Sequence, residues 1–170
     1  ALKELDLPDP LFLLAHSMGG ASGLRSLLSG LPVQAAAFSA PMWGILMSGA
    51  LRPFAWTIGL GAKALRQDQR YTPGTEPASY LKTAPFEDNM LTTDPDMYDS
   101  LQKQVEAHPE MALGGPSMRW LIEALRETKD LRTTPSPAIP TITFLGTNER
   151  IVDSWDVHAR MNIWPSGVLE

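Results

Sequence analysis

A serine lies where a short apolar run ends and a pattern of small residues begins. The run Leu11–Leu14 is followed by the pentapeptide AHSMG at 15–19. A serine hydroxyl becomes a strong nucleophile only when it is held exposed beside a base. A sharp turn from a strand into a helix supplies that exposure, provided that the residues two before and two after the serine are small. Because Ala15 and Gly19 meet this condition, we predict that Ser17 is a nucleophile rather than an ordinary turn serine.

The residues on either side of this serine have predicted roles of their own. The backbone N–H of Met18, at the start of the following helix, would donate to the oxyanion that forms when a carbonyl is attacked. The positive end of the helix dipole would add to this stabilisation. Neighbouring side chains around so tight a turn point in different directions. We therefore expect His16 to pack beside the turn and not to act as the base.

A carboxylate that could orient a histidine occurs far downstream, after the strand-like run Thr141–Leu145. The stretch GTNERIVDSWD follows this run and contains Glu149, Asp153 and, further off, Asp156. Loops at the carboxyl ends of parallel strands commonly build active sites, and Glu149 lies in such a loop directly after the strand. Asp153 could instead cap a helix that begins near Trp155. We therefore favour Glu149 as the catalytic acid and keep Asp153 as the alternative.

The histidine that would activate the serine is not identified by the sequence. The three histidines, His16, His108 and His158, form no metal-ligand spacing, and the absence of cysteine excludes a thiol nucleophile and Cys-ligated zinc. His158 follows both carboxylates but falls inside a predicted helix, where we expect a surface or packing role. His108 precedes Pro109 at a predicted helix end, and helix capping is the simpler role. No metal and no cofactor are expected.

The elements that must position these residues follow a strand–helix–strand pattern. Leu11–Leu14 and Val33–Ser39 are predicted to be buried strands, with Gly19–Leu28 as the helix between them. Such a unit implies parallel strands and a right-handed crossover. Thr141–Leu145 adds a later strand, and Asp156–Met161 the helix after it. We predict the α/β class, with a partial parallel sheet and flanking helices.

The region between the second and third predicted strands does not alternate strands with helices. It contains most of the prolines and three of the five tryptophans. Apolar periodicity predicts helices over Phe54–Leu65, Met97–Ala107 and Pro116–Leu125, the last with Pro116 in its first turn. Thr133–Pro140 would form a semi-rigid linker back to the sheet. A mainly helical insertion is therefore predicted inside the α/β core.

Composition and charge limit the classes of partner. The chain has 170 residues, of which 44% are hydrophobic, and a net charge of −5. These values suit one globular domain and offer no basic patch for nucleic acid. No apolar run reaches the roughly 18 residues that a transmembrane helix needs. The first residue is not Met and lies only a few residues before a predicted buried strand, so we expect an internal piece of a longer protein.

Three segments carry a family resemblance. The stretches LLAHSMGG, HPEMALGGPSMRWLIEAL and FLGTNERIVD together resemble the bacterial lysophospholipase and monoacylglycerol lipase group of α/β-hydrolases. The resemblance implies an α/β-hydrolase fold with a mainly helical cap, or lid. It divides the chain into a core segment 1–41, a cap 42–139 and a second core segment 140–170. The first core segment holds the turn around Ser17, here called the nucleophile turn. The second holds the loop 146–153 with Glu149, here called the acid loop.

The resemblance also implies an activity. A member of this group would be a serine ester hydrolase that cleaves lipid-like esters, lysophospholipid or monoacylglycerol, through an acyl-Ser17 intermediate, and peripheral membrane contact is a further expectation. Glu149 matches a position where the group usually carries Asp, which keeps Asp153 as a rival. The group's histidine lies on a loop after one more strand, of which 168–170 looks like the start. We therefore expect the 170-residue segment to be inactive until the rest of the parent chain completes the site.

A non-catalytic alternative remains open at this point. The Asp-to-Glu change and the unidentified histidine also fit an α/β-hydrolase relative that binds an apolar ligand or a protein partner. A histidine on a loop just after the coming strand would favour the enzyme. The compartment is not determined, and a cytoplasmic or membrane-peripheral location in a bacterium is favoured.

Overall fold

The computed structural model describes residues 9–170, and the chain divides into two compact units. The first, here called the core unit, comprises the chain up to Met47 and from Leu125 to Glu170. The second, here called the insert unit, is Ser48–Ala124. Both predicted core segments therefore belong to one unit, although they are far apart in sequence.

The core unit contains a parallel sheet of four strands, β1 (Phe12–His16), β2 (Ala35–Ser39), β3 (Thr141–Phe144) and β4 (Gly167–Leu169). Neighbouring strands in the sheet are also neighbours in the sequence of strands, so the order is β1-β2-β3-β4. Pairing fixes their relative height, because His16 lies opposite Ser39 and Ser39 lies opposite Phe144. The carboxyl ends of β1, β2 and β3 therefore meet at the same end of the sheet. The predicted parallel arrangement is confirmed.

Helix α1 (Met18–Leu28) connects β1 to β2 and packs closely on the sheet. Leu24 on its inner face is fully buried. A Cβ added to Gly23 would lie 3.1 Å from the Cβ of Ala15 on β1, so the helix approaches the strand through small residues. The helix ends before Gly30, whose φ of 86° favours glycine.

Aromatic packing closes the core on the side of helix α6 (Ser154–Met161). Trp43 contacts Phe38 edge to face, with ring centroids 5.1 Å apart, and stacks on Trp164 at 5.9 Å. The Trp43 indole N–H also donates to the carbonyl of Gly20, at 3.2 Å. The segment after β2 is thereby held against both the sheet and α1.

One face of the sheet carries large apolar side chains that are exposed in the described part of the chain. Their exposed fractions are 67% for Phe12, 79% for Leu14, 48% for Phe144 and 51% for Val168. Side chains alternate between the two faces of a strand, so Phe12 and Leu14 share a face of β1. The opposite face holds the buried Ala15, Phe38 and Thr143.

The insert unit is helical, as predicted, but its elements differ in detail. Its helices are α2 (Leu51–Ala64), α3 (Tyr80–Thr83), α4 (Pro95–Ala107) and the first part of α5 (Met118–Thr133), with short 3-10 turns at Phe86–Asp88 and Pro109–Met111. The prediction that Pro116 lies in the first helical turn is wrong, because α5 begins at Met118. Ser117 Oγ accepts the N–H of Trp120 at 3.2 Å and so caps this helix. The single-turn elements are too short to show periodicity.

The insert unit, Ser48–Ala124, is shorter at both ends than the predicted cap segment 42–139. Trp43 is 1% exposed and belongs to the aromatic core of the core unit. At the other end, α5 continues past Leu125 into the core unit, where Leu131 is fully buried. Arg25 of α1 forms a two-pronged ion pair there with Glu127, with N···O distances of 2.7 and 3.0 Å. A sequence pattern detects a helix but does not show which unit each turn packs against.

A buried carboxylate stabilises the start of α5 within the insert unit. Asp68 is 4% exposed, and Arg119 Nε donates to its Oδ2 at 2.7 Å. The backbone N–H of Arg119 also donates to the carbonyl of Asp68, at 2.8 Å. The hydrogen bond and charge of Arg119 hold the pKa of Asp68 below its usual value.

Candidate active site

Ser17 has a strained backbone conformation at the turn between β1 and α1. Its φ is 50° and its ψ is −123°, in a region that residues with a side chain rarely occupy. Three backbone hydrogen bonds hold this conformation. The Ser17 N–H donates to the carbonyl of Ser39 at 3.0 Å, and its own carbonyl accepts from Gly20 and Met42, each at 2.8 Å. An observed backbone outlier that is so fully determined by its neighbours is typical of functional sites.

The hydroxyl of Ser17 is not used to stabilise the helix that follows. Although Ser17 occupies the N-cap position of α1, its side chain makes no capping hydrogen bond, and the residue is half-buried. A serine at this position ordinarily accepts a backbone N–H and contributes about 1 kcal/mol. Met18 begins α1 immediately after Ser17, so the first amides of the helix lie beside the hydroxyl-bearing residue.

The small-residue requirement holds at this turn, but at a different position from the one predicted. A Cβ on Gly19 would meet no atom of the described chain within 4 Å, so the described residues give no steric reason for glycine there. The close approach is one residue later, where a Cβ on Gly20 would lie 2.5 Å from the Cβ of Pro41. The sequence signals for this contact are the paired glycines and the proline that follows β2.

His16 lies beside the turn and is held by β2. Its Nδ1 is 3.0 Å from the carbonyl oxygen of Ser39 and 3.2 Å from the Ser39 hydroxyl oxygen. Because a carbonyl oxygen can only accept, we assign the proton to Nδ1. The ring is therefore anchored to the neighbouring strand rather than to Ser17.

Glu149 lies in the loop after β3, and its carboxylate is oriented by backbone amides. Oε1 accepts the N–H of Ile151 at 2.7 Å and the N–H of Val152 at 3.0 Å. The loop turns tightly, since the Glu149 N–H donates to the carbonyl of Gly146 at 3.3 Å. With Oε1 engaged locally, Oε2 is the atom that could accept an imidazole N–H.

Asp153 caps α6. Its Oδ1 accepts the N–H of Trp155 at 3.1 Å, at the N-cap position of the helix. This is the capping role that the sequence offered as the alternative to catalysis. The backbone N–H of Asp153 donates to the carbonyl of Gly44 at 3.0 Å, which ties the residue to the segment after β2.

The other two histidines belong to other elements. His108 ends α4 in the insert unit, and its Nδ1 is 3.2 Å from Glu110 Oε1. His158 is exposed on α6. Within residues 9–170, no histidine is hydrogen-bonded to Ser17 or to Glu149. The described chain thus combines a candidate nucleophile and a candidate acid, without the histidine that would connect them.

Among residues 9–170, no helix is long and apolar enough to cross a membrane. In the same residues, no group of three or more His, Cys, Asp and Glu side chains is arranged to hold a metal ion.

Comparison with known proteins identifies a family that this chain matches. Residues 2–167 match the family Hydrolase_4, described as "Serine aminopeptidase, S33". A relative from Haemophilus influenzae, "Probable lysophospholipase L2", is 29% identical over 160 residues, which are 93% of this chain and 50% of the relative. The chain therefore spans about half the length of the curated relative that it matches.

Solved structures agree with the fold. A monoglyceride lipase from Saccharomyces cerevisiae superposes with a TM-score of 0.64 at 19% identity, covering 95% of this chain and 52% of the lipase. A monoacylglycerol lipase from Paleococcus ferrophilus gives 0.63 at 14% identity, covering 94% and 57%. Identities this low establish the fold alone. Together with the match over residues 2–167, they show that this chain belongs to the Hydrolase_4 family and has the α/β-hydrolase fold.

Proposed function

We propose that the protein is a serine ester hydrolase that acts on lipid-like carboxylic esters, lysophospholipid or monoacylglycerol, through an acyl-Ser17 intermediate. The observation that carries this proposal is the backbone of Ser17, held at a φ of 50° on the β1–α1 turn with its hydroxyl unused by the helix. Strain of this kind costs free energy. It is explained if the turn must expose a nucleophilic Oγ above the end of the sheet.

The reaction proceeds by acyl transfer in two halves. Ser17 Oγ attacks the ester carbonyl carbon, and its proton passes to a histidine imidazole of the full-length protein. The same proton then goes to the departing alcohol as the carbon–oxygen bond breaks, which leaves an acyl ester on Ser17. Water attacks that ester with the histidine again as base, and the carboxylic acid leaves as the Ser17 hydroxyl is restored.

Two other residues assist the proposed transfer. The backbone N–H of Met18, at the positive end of α1, donates to the oxyanion in both halves. Glu149 accepts the second N–H of the imidazole and stabilises its charged form. Its fixed Oε1, bound by the amides of Ile151 and Val152, supports this assignment because it leaves the other oxygen in one orientation. Asp153 is assigned to capping.

The substrate class is supported by the names of similar proteins and by surface composition. The Haemophilus relative is named a lysophospholipase, and the two solved neighbours are named monoglyceride and monoacylglycerol lipases. The insert unit exposes large apolar side chains, among them Phe54 at 62% and Met97 at 52%. We assign the insert unit as the cap and expect it to contact acyl chains or the surface of a membrane.

A non-catalytic function is the second candidate. It is favoured by one observation, that none of the three histidines in the described chain is hydrogen-bonded to Ser17 or Glu149. On this view the protein binds an apolar ligand or a protein partner and leaves it unchanged.

Hydrolysis assays with the full-length protein separate the two functions. We expect turnover of a p-nitrophenyl acyl ester and of monoacylglycerol or lysophosphatidylcholine, with loss of essentially all activity in Ser17→Ala. Ser22→Ala is the matched control, because Ser22 is exposed on α1 and should leave the rate unchanged. Binding of these lipids without turnover by a folded wild-type protein would support the non-catalytic function.

A further inference from the structure

We propose that Gly44, pressed against the buried Asp156, is a positioning residue that fixes the acid loop in its position relative to Ser17. This inference rests on the proposed hydrolase function. It concerns the segment 41–46, here called the bridge segment, which runs from the end of β2 past both the nucleophile turn and the acid loop.

The bridge segment is bonded to the nucleophile turn at one end. The Met42 N–H donates to the carbonyl of Ser17 at 2.8 Å. Trp43 anchors the next position, because its ring is buried against Phe38 and Trp164 and its indole N–H donates to Gly20. The first half of the segment is therefore fixed to the same backbone that holds Ser17 in its strained conformation.

The other end of the bridge segment pairs with the acid loop. The Gly44 carbonyl accepts the N–H of Asp153 at 3.0 Å, and the Leu46 N–H donates to the carbonyl of Ile151 at 3.1 Å. Ile45 and Val152 form an antiparallel bridge between these bonds.

The residues that pair with the bridge segment are the ones that hold the candidate acid. The amides of Ile151 and Val152 donate to Glu149 Oε1. The bridge segment and its backbone hydrogen bonds thus form a series of contacts from the Ser17 carbonyl to the two amides that bind the Glu149 carboxylate. A shift of the bridge segment would move the acid relative to the nucleophile.

Gly44 is the point in this series with no room for a side chain. A Cβ added there would lie 2.8 Å from the Cβ and Cγ of Asp156 and closer still to its Oδ2. Real Cβ atoms essentially never approach other heavy atoms within 3.0 Å, so the backbone or Asp156 would have to move. Asp156 cannot move easily, because it lies in the first turn of α6 with its side chain 3% exposed.

The Asp156 carboxylate interacts with two arginines, Arg132 and the buried Arg160, but one of its oxygens is unsatisfied. Its Oδ2 accepts from Arg132 Nη2 at 2.5 Å, but its Oδ1 is buried without a hydrogen-bond partner in the described chain. A buried carboxylate with an unsatisfied oxygen costs free energy, which its charge interactions with Arg132 and the buried Arg160 offset in part. These interactions hold Asp156 in place, so it acts as a fixed wall against Gly44 and the acid loop.

The test is the Gly44→Ala variant of the full-length protein, measured by ester hydrolysis and by the rate at which a fluorophosphonate labels Ser17. We expect kcat and the labelling rate to fall about 10- to 100-fold, because a displacement of about 1 Å in a catalytic group has effects of this size. KM should stay within about twofold, since the change does not remove a substrate contact. Gly49→Ala is the matched control, because a Cβ there meets no atom within 4 Å.

A second variant tests whether the loss passes through the contact with Asp156. In Gly44→Ala/Asp156→Gly the three atoms nearest to the new Cβ are gone, so the double variant should label faster than Gly44→Ala alone. If Gly44→Ala does not fold, as judged by circular dichroism, Asp156→Asn takes its place. That variant keeps the shape, weakens the pairing with Arg132 and should slow labelling about three- to tenfold.

The outcomes distinguish this inference from the function on which it rests. Wild-type labelling rates in Gly44→Ala or in its substitute Asp156→Asn, or a double variant no faster than the single one, would overturn the positioning role and leave the hydrolase function standing. A folded wild-type protein that is not labelled at all would overturn the hydrolase function itself.

Discussion

Ser17 occupies a conformation that is costly for any residue with a Cβ, and the cost can be measured. Holding a residue in a sparsely populated φ/ψ region lowers the free energy of unfolding by about 1–3 kcal/mol. We therefore predict that Ser17→Gly is more stable than Ser17→Ala by about 1–2 kcal/mol, since only glycine adopts a φ of 50° with a ψ of −123° without strain. Urea denaturation of the two inactive variants checks this, and equal free energies of unfolding would contradict the strain.

The choice of catalytic acid is also decided at the scale of single residues. Glu149→Gln keeps an acceptor for the amides of Ile151 and Val152 but loses the charge that stabilises an imidazolium. By analogy with acid replacements in serine proteases, we expect kcat to fall about 10³- to 10⁴-fold.

Asp153→Asn is the matched control for Glu149→Gln. Asparagine caps a helix about as well as aspartate, so this change should alter kcat by no more than about threefold. The reverse order of effects in a steady-state hydrolysis assay would make Asp153 the acid and Glu149 a structural residue of the loop.

At the scale of the elements, the ion pair between Arg119 and Asp68 at the start of α5 has an effect on stability that can be measured. Arg119 holds the pKa of Asp68 below its usual value, so the folded insert unit favours the charged form of this carboxyl. A lowered folded-state pKa contributes stability that is complete above the unfolded value of about 3.9 and is lost as the pH falls through the folded value. We predict that Asp68→Asn lowers the unfolding temperature at pH 7 and that the difference shrinks toward pH 3. A difference that is unchanged across this range would contradict the assignment.

Strands and longer helices could be predicted from sequence, whereas the contacts between elements could not. The apolar run after Pro10 became β1, and the pattern around Leu24 became α1, because a local period reports which face is buried. Gly44 is an example of a contact that could not be predicted from sequence. It lies outside any periodic segment, and only the fold brings it against Asp156, more than a hundred positions away.

The same limit applies to the candidate site. Ser17 and Glu149 could be proposed because motif and chain order mark them, and their catalytic roles stay predictions. The hydrogen bonds from Met42 to Ser17 and from Asp153 to Gly44 depend on Met42 and Gly44, which no motif includes. Steric reasoning also chose Gly19 where the contact falls on Gly20, because the direction of each Cβ follows from the geometry of the turn.

For the molecule as a whole, two features lead to a prediction for the 170 residues alone. One sheet face is apolar and exposed, and no histidine in the described residues is hydrogen-bonded to Ser17. Phe12, Leu14, Phe144 and Val168 expose apolar surface in the described chain, and patches of this kind bind partners or promote aggregation. We expect the segment to bind the dye ANS more strongly than the full-length protein does. It should hydrolyse esters no faster than its Ser17→Ala variant. Ester hydrolysis by the 170-residue segment that is lost in its Ser17→Ala variant would contradict the expected inactivity.

Mapping a covalent adduct is the most direct test of whether Ser17 is the nucleophile of a serine hydrolase. Full-length protein would be treated with a fluorophosphonate, digested and examined by tandem mass spectrometry. We predict one modified residue, Ser17, with labelling lost after heat denaturation and in Ser17→Ala, and retained in Ser22→Ala. A folded protein that is unmodified at Ser17, or modified equally well after denaturation, would contradict the account.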